Sequence, residues 1–256
     1  MTPLLSVVGL SINFGGLTAL SDFELEVGEG AIVALIGPNG AGKTTVFNVL
    51  TGLYRPSRGH VMFHGDDLTT LAPHAIARLG IARTFQNTEV FRRLSTLDNV
   101  LIGRHAHIKG GVLGGALALP RVRREEASAR REAHVLLDLV GLRAAADVEA
   151  ASLPLGHQKR LEIARALAAE PVLLLLDEPA GGLNTTETQE LMGLIRRLRD
   201  ERRSTILLVE HDMQLVMGIS DRVAVLDHGR KIAEGRPREI ARDPAVIEAY
   251  LGAPEL

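Results

Sequence analysis

The chain has 256 residues, 46% of them hydrophobic and 23% charged, a balance that suits an ordinary globular protein with length enough for a buried core. A formal net charge of −2 removes any chain-wide electrostatic reason to bind nucleic acid, and the lack of cysteine excludes disulfides, thiol catalysis and cysteine-ligated metal sites. With no signal-peptide pattern at Met1–Leu5 and no apolar run near the ~20 residues of a membrane span, a cytoplasmic protein is expected.

Taken in chain order, apolar runs predict strands at Leu4–Leu10, Phe23–Val27, Ala31–Ile36 and Val61–Phe63, punctuated by Gly15-Gly16, Gly28-Glu29-Gly30 and Gly59. Between the third strand and a helix predicted at Thr44–Leu50 lies Gly37-Pro38-Asn39-Gly40-Ala41-Gly42-Lys43-Thr44-Thr45. This satisfies the Walker A pattern in the strand–loop–helix context that the pattern requires. Glycines at 37, 40 and 42 let successive backbone N–H groups turn toward phosphate oxygens at the positive end of the helix. Lys43 supplies a point charge to the β- and γ-phosphates, and the Thr44 hydroxyl supplies a hard oxygen for Mg²⁺. Binding of a nucleoside triphosphate by residues 37–45 is the expectation. Phe14, 23 positions before Gly37, either stacks on a purine or belongs to the core.

A further strand, Ile81–Phe85, runs into Gln86, whose amide either reaches Mg²⁺ and the attacking water or is a plain surface group. From about Asn87 to Leu153 the pattern turns helical, with periodic segments at Leu97–Arg104 and Arg121–Leu139 and a stop at Gly141. Residues 104–131 carry seven Lys/Arg against two acids, as a solvated helix face or as a contact for anionic lipid or a partner loop. Strands Val172–Leu176 and Ile206–Val209, separated by an amphipathic helix at Glu187–Arg203, imply a parallel sheet. The first of them ends in Asp177-Glu178, the Walker B pattern. Side chains alternate along a strand, so one carboxylate (Asp177) is assigned to the metal and the other (Glu178) to water. His211, after Ile206–Glu210, either caps a loop or holds the γ-phosphate and the water. A hairpin of Arg222–Leu226 and Lys231–Glu234 around Asp227-His228-Gly229 precedes a helical tail ending near Leu251.

The segment Leu153-Pro154-Leu155-Gly156-His157-Gln158-Lys159-Arg160-Leu161-Glu162-Ile163-Ala164-Arg165-Ala166-Leu167 stands shortly before Walker B, and Ala180-Gly181-Gly182-Leu183-Asn184 follows it. With these the motif set closely resembles the ATP-binding cassette family, its signature and its D-loop. The resemblance runs from Leu4 to about Gly252. It implies a single α/β domain over 4–252, a P-loop NTPase (RecA-like) core at 4–86 and 160–235 with an antiparallel β subdomain, an inserted α-helical subdomain at about 87–159, and a tail at 236–256. It further implies that Gly156 and Gln158 serve ATP held by the other member of a homodimer, or of a heterodimer with a related ATPase. Glu178, His211 and Gln86 then act in catalysis, and Thr44, Gln86 and Asp177 surround Mg²⁺. Pro154 departs from the family pattern, which has serine there; proline offers neither hydroxyl nor N–H. As a first-turn residue it would pre-set the signature helix, and weaker ATP-driven closure is expected.

Finer resemblance, in Phe14–Leu20, Ala82–Asn87, Ile102–His105, Arg160–Leu167, Val209–Met213 and Val246–Gly252, is to the ATPase subunits of branched-chain amino acid uptake systems. Such subunits sit peripherally on the cytoplasmic face of the membrane with permease subunits and, indirectly, a substrate-binding protein. Urea or short-amide uptake and lipopolysaccharide-export ATPases are similar enough to remain alternatives. Among Asn87–Asn99, Phe91, Leu94 and Leu97 either form a groove for a permease helix or pack internally. DNA-repair relatives need a long coiled coil before the signature, whereas only 107 residues without sustained heptads separate Thr45 from Leu153. Ribosome-associated relatives carry two cassettes.

Overall fold

The computed structural model describes residues 3–84, 90–104 and 120–251. It divides into two compact units, one formed by Met1–Arg83, Val172–Ala180 and Thr188–Leu256, the other by Thr84–Pro171 and Gly181–Glu187. Gln86 lies outside the described residues, as do Asn87–Glu89 and 105–119.

The first unit holds two sheets. In one, β1 (Leu5–Phe14), β2 (Leu17–Val27), β4 (Arg58–Phe63) and β5 (Asp66–Asp67) pair antiparallel in the order β2-β1-β4-β5. The first hairpin is longer than the apolar runs at Leu4–Leu10 and Phe23–Val27 predict. Its outer half alternates buried Ile12 with exposed Asn13, so only one face is apolar and the run dissolves into polar residues. The other sheet has the order β10-β9-β3-β8-β7-β6, comprising β3 (Ile32–Ile36), β6 (Ile81–Arg83), β7 (Leu173–Asp177), β8 (Thr205–Val209), β9 (Arg222–Asp227) and β10 (Arg230–Gly235). All its pairings are parallel except the β9–β10 hairpin. Strands β3, β7 and β8 are buried at every position, which is why they read as unbroken apolar runs.

One core joins these layers. Leu5, Phe23 and Phe63 of the antiparallel sheet meet Phe47 and Leu50 of α1 (Lys43–Leu50) and Leu175 and Leu207 of the parallel sheet. Each such side chain contributes about 1.5–3 kcal/mol by leaving water. Two short helices gave no periodic signal in the sequence, α2 (Pro73–Arg78) and α7 (Met213–Ile219). Strand β3 lies between β8 and β9, so the chain leaves it at a crossover of the sheet, where α/β folds place ligands beyond the carboxyl ends of the strands.

The second unit is built on α3 (Thr96–Gly103), α4 (Pro120–Leu139) and α5 (Leu155–Leu167). Ser95 caps α3 by accepting from the Asp98 N–H at 3.0 Å. Buried Asn99 accepts from the Phe91 N–H at 2.8 Å and donates to the Phe91 and Ser95 carbonyls, so the turn before α3 is held by one amide. Gly103 lets α3 approach α5 closely: a Cβ there would lie 2.1 Å from the Arg165 carbonyl oxygen. Leu97, expected as a groove residue or as packing, is 5% exposed and belongs to the packing; Phe91 and Leu94 are exposed. Helix α6 (Thr185–Arg202) starts at a capping box in which Asn184 and Glu187 exchange backbone-to-side-chain bonds of 2.9 and 3.0 Å.

Candidate functional site

The carboxyl ends of four strands of the parallel sheet carry the chemistry of the first unit. Strand β3 opens into the loop at 37–42, where Gly37, Gly40 and Gly42 all have positive φ. At Gly37 a Cβ would sit 1.9 Å from the Leu226 carbonyl oxygen, and at Gly42 2.8 Å from that of Ala19. Backbone thus presses on the loop from β9 and β2. The β9–β10 turn, His228-Gly229, has positive φ at both residues, as a two-residue type I′ hairpin requires. Its Gly229 N–H donates to the Ala41 carbonyl at 2.9 Å while its carbonyl accepts from the Ser21 N–H at 2.8 Å. A predicted hairpin therefore buttresses the phosphate loop.

Helix α1 begins from Gly42 with no side-chain cap and no acid in its first turn. Its first helical bond is Val46 N–H to the Gly42 carbonyl at 3.0 Å, so the N–H groups of Lys43, Thr44 and Thr45 precede the internal ladder. A helix start of this kind suits an anion. Lys43 is buried, and its Nζ donates to the Gly37 and Pro38 carbonyls at 2.6 and 2.9 Å. With three donors, an ammonium so held keeps one for a phosphate oxygen. Burial lowers its pKa below the ordinary lysine value, while the charges of Glu178 and Asp177 pull it back up.

Strand β7 delivers the two carboxylates in different directions. Asp177 is 1% exposed and its Oδ2 accepts from Arg83 Nη2 at 2.6 Å. Glu178 adopts a left-handed φ of 47°, costly for a non-glycine residue, and its N–H donates to the Val209 carbonyl at 2.9 Å. That turn brings Glu178 Oε2 to 4.0 Å from Nδ1 of His211, which is itself largely exposed. Glu210, wholly buried, holds both strand ends: one oxygen accepts from Ala180 N–H at 2.7 Å, the other from His211 and Asp212 N–H at 2.9 and 3.1 Å.

Arg83 and Glu210 had no assignment in the sequence reading. Arg83 also donates to Asn48 Oδ1 at 2.7 Å and lies over the Phe47 ring at 5.4 Å, tying α1 to the β7 carboxylate. A charged residue in an otherwise apolar strand was the available signal. Phe14, at the end of β1, is 44% exposed and meets Tyr54 edge-on at 5.0 Å, so it is a surface ring and not a core one. Thr44 is exposed and Asp177 stands at the next strand end. Their hard oxygens suit Mg²⁺, and among the described residues no cluster of three or more His, Asp or Glu groups is present to hold a metal independently. The donor set fits a metal that shares its shell with phosphate oxygens.

In the second unit, α5 starts at Pro154, whose φ of −55° and ψ of 153° make it the N-cap. The expectation of a first-turn proline is corrected: helical geometry begins only at Leu155, and the Pro154 carbonyl accepts from His157 and Gln158 N–H at 2.9 and 3.0 Å. Gly156 is buried, with space for a Cβ closed by Glu187 Oε1 at 2.8 Å. Gln158 folds back, its Nε2 donating to the Leu153 carbonyl at 2.8 Å.

The profile of the ABC transporter family matches residues 20–181, more than half of the chain. The chain belongs to this family. A second profile, branched-chain amino acid ATP-binding cassette transporter, matches residues 230–255. The high-affinity branched-chain amino acid transport ATP-binding proteins LivG of Salmonella typhimurium and BraF of Pseudomonas aeruginosa are 49% and 46% identical to the cassette over 250 residues, each covering 98% of both chains. Among solved structures, the ADP conformation of an ATP-binding cassette of an ABC transporter is 30% identical with a TM-score of 0.86, covering 99% of this chain and 100% of that one. A dimeric cassette in a post-hydrolysis state bound to ADP and Pi is 26% identical with a TM-score of 0.77, covering 91% and 99%. The architecture is accordingly that of an ABC ATPase. No helix among the described residues is long and apolar enough to cross a membrane.

Proposed function

We propose that this cassette is the ATP-hydrolysing motor subunit of a membrane importer for branched-chain amino acids. The observation that carries the ATPase reading is the buried Lys43 at an uncapped helix start, within the charge field of Asp177 and Glu178. The substrate class rests on the relatives' names and on the match of residues 230–255. ATP is held by residues 37–45, with Phe14 against the purine. Thr44, Gln86 and Asp177 hold Mg²⁺, which when bound offsets charge on the phosphate oxygens. Glu178 polarises the attacking water, and His211 and Gln86 orient it. Lys43 stabilises the transferred group together with Gly156 and Gln158 of a second subunit, a copy of this chain or a related ATPase.

A head-to-tail pair around two ATP molecules closes on ATP and opens on ADP, a two-state element that both subunits bias. The dimeric relative bound to ADP and Pi supports this arrangement. The motor works at the cytoplasmic face of the membrane on permease subunits, which the exposed Phe91 and Leu94 help to receive, and a substrate-binding protein delivers the cargo. Purifying the native complex and measuring ATP-driven uptake into vesicles tests the proposal. Uptake of leucine, isoleucine and valine supports it; uptake of urea or short amides instead, or companions without a polytopic membrane protein, refutes it.

A further inference from the structure

Strand β6 ends at Arg83, which stands opposite Leu175 in the parallel register with β7. Side chains repeat every second residue along a strand, so Asp177 shares that face of the sheet, one step nearer the carboxyl end. Arg83 reaches forward along the face, and its Nη2 donates to Asp177 Oδ2 at 2.6 Å. Its other terminal nitrogen, Nη1, donates to Asn48 Oδ1 at 2.7 Å. Asn48 follows Thr44 by four residues in α1, so the two lie on one face of that helix. One guanidinium thus spans from the β7 carboxylate to the helix face that carries Thr44. It is held there: the side chains of Arg83 and Asp177 are 7% and 1% exposed, and the guanidinium lies over the Phe47 ring at 5.4 Å. A buried ion pair adds little net stability over an apolar replacement, so stability alone is a weak reason for this arginine.

We propose that Arg83 is a positioning residue for the metal that accompanies ATP: its fork brackets Asp177 and Asn48, and so fixes Asp177 relative to Thr44. This rests on the reading of Thr44 and Asp177 as the groups that hold Mg²⁺. A carboxylate that serves a metal is itself oriented by hydrogen bonds from behind, and loss of such a partner typically costs roughly 10- to 100-fold in metal affinity. Arginine suits the task because its planar fork offers two nitrogens in a fixed relation, one for each side of the bracket. Lysine would keep the charge and offer a single nitrogen, so it could serve one side only. The phosphate loop has separate support, since it is pressed by the Leu226 and Ala19 carbonyls of β9 and β2. Disturbing the fork should therefore weaken the metal and spare nucleotide binding in its absence.

The test uses the full purified chain and a fluorescent non-hydrolysable ATP analogue, with Mn²⁺ as the probe because it takes the same oxygen ligands as Mg²⁺. Mn²⁺ is titrated into the analogue complex, protein in excess, and the free ion is counted by electron paramagnetic resonance. Arg83→Lys should raise the Mn²⁺ dissociation constant about 10-fold to 100-fold. Asn48→Ala removes one side of the bracket and keeps the ion pair, and it should raise that constant about twofold to tenfold, the range of one hydrogen bond. In EDTA both variants should bind the analogue within about twofold of the unsubstituted chain, a split that general loss of structure would not produce. Each variant leaves the buried Asp177 a counter-charge, so both should fold, and either alone tests the bracket. Unchanged Mn²⁺ affinity in either variant, or equal weakening with EDTA and with metal, overturns it. Asp177→Asn separates the two layers: if it leaves Mn²⁺ affinity unchanged, the metal reading fails and the bracket with it; if it weakens Mn²⁺ while Arg83→Lys does not, only the bracket fails.

Discussion

The starts of α1 and α5 are two versions of one device, and their differences assign them different work. Both helices begin without a side-chain cap and without an acid in the first turn, so both offer N–H groups to an anion. The α1 start is braced by the Leu226 and Ala19 carbonyls, tied through Ala41 to Gly229, and equipped with a buried ammonium. The α5 start has a proline cap and a glycine pressed against Glu187. In the proposed pair, the braced loop with its own cation is the half that holds the triphosphate, and the bare helix start is the half that completes the site. Helix-terminus effects of about 0.3–1 kcal/mol, against 1.5–3 for hydrogen bonds to charged groups, set the ratio between the two halves.

The largest expected effect tests the first of these regions for chemistry as opposed to binding. Glu178→Gln should retain ATP and accumulate a nucleotide-bound dimer while hydrolysis falls about 10²- to 10⁴-fold, the cost of losing a general base. Single-turnover hydrolysis and size-exclusion chromatography read the two arms, and normal turnover would remove Glu178 from its role. Next comes the cation. Lys43→Ala should weaken ATP binding roughly tenfold to a hundredfold. The pH arm has a definite sign: burial lowers the Lys43 pKa and the Glu178 and Asp177 charges only partly restore it. The charge that meets phosphate is thus lost on raising the pH before an ordinary lysine would lose it. ATP affinity, followed by equilibrium titration, should decline on the alkaline side at a pH below the ordinary lysine range.

A third contrast lies inside the second unit. Leu97 is 5% exposed and Phe91 47%. Leu97→Ala should cost about 2–5 kcal/mol in urea unfolding, as a core truncation does. Phe91→Ala should change stability by less than about 1 kcal/mol yet reduce recovery of the permease with the ATPase. Equal stability losses would mean that Phe91 is packing and not a docking surface.

What could be read from the sequence was what is local. The Gly37–Thr45 loop, the Asp177-Glu178 strand end and the Asp227-His228-Gly229 hairpin each declare themselves within ten residues, because turn chemistry and buried-strand patterns need no distant partner. Arg83 reaches Asp177 across 94 positions, and Glu210 reaches back to Ala180; no spacing rule marks either. The first hairpin was under-read for a different reason, since a strand with one apolar face loses its signature where polar residues alternate in.

The smallest effect bears on the completing half. Pro154 caps α5 with its carbonyl alone, accepting from His157 and Gln158 N–H, and has no side-chain acceptor to give the helix start. Serine at that position would add a side-chain cap worth about 0.5–2 kcal/mol. It would also release the backbone freedom that proline removes from the unfolded chain, a loss of about 0.4–1 kcal/mol. These nearly cancel, so Pro154→Ser should leave the urea midpoint of the isolated chain almost unmoved. Its hydroxyl is nonetheless a new donor beside Gly156, and a neutral hydrogen bond of about 1 kcal/mol should tighten ATP-driven dimerisation roughly threefold to tenfold. Sedimentation of the Glu178→Gln background with and without the serine isolates that step from hydrolysis. If the serine variant dimerises more weakly, the α5 start is tuned by proline stiffness and not short of a donor, and the contrast with α1 loses its chemical half.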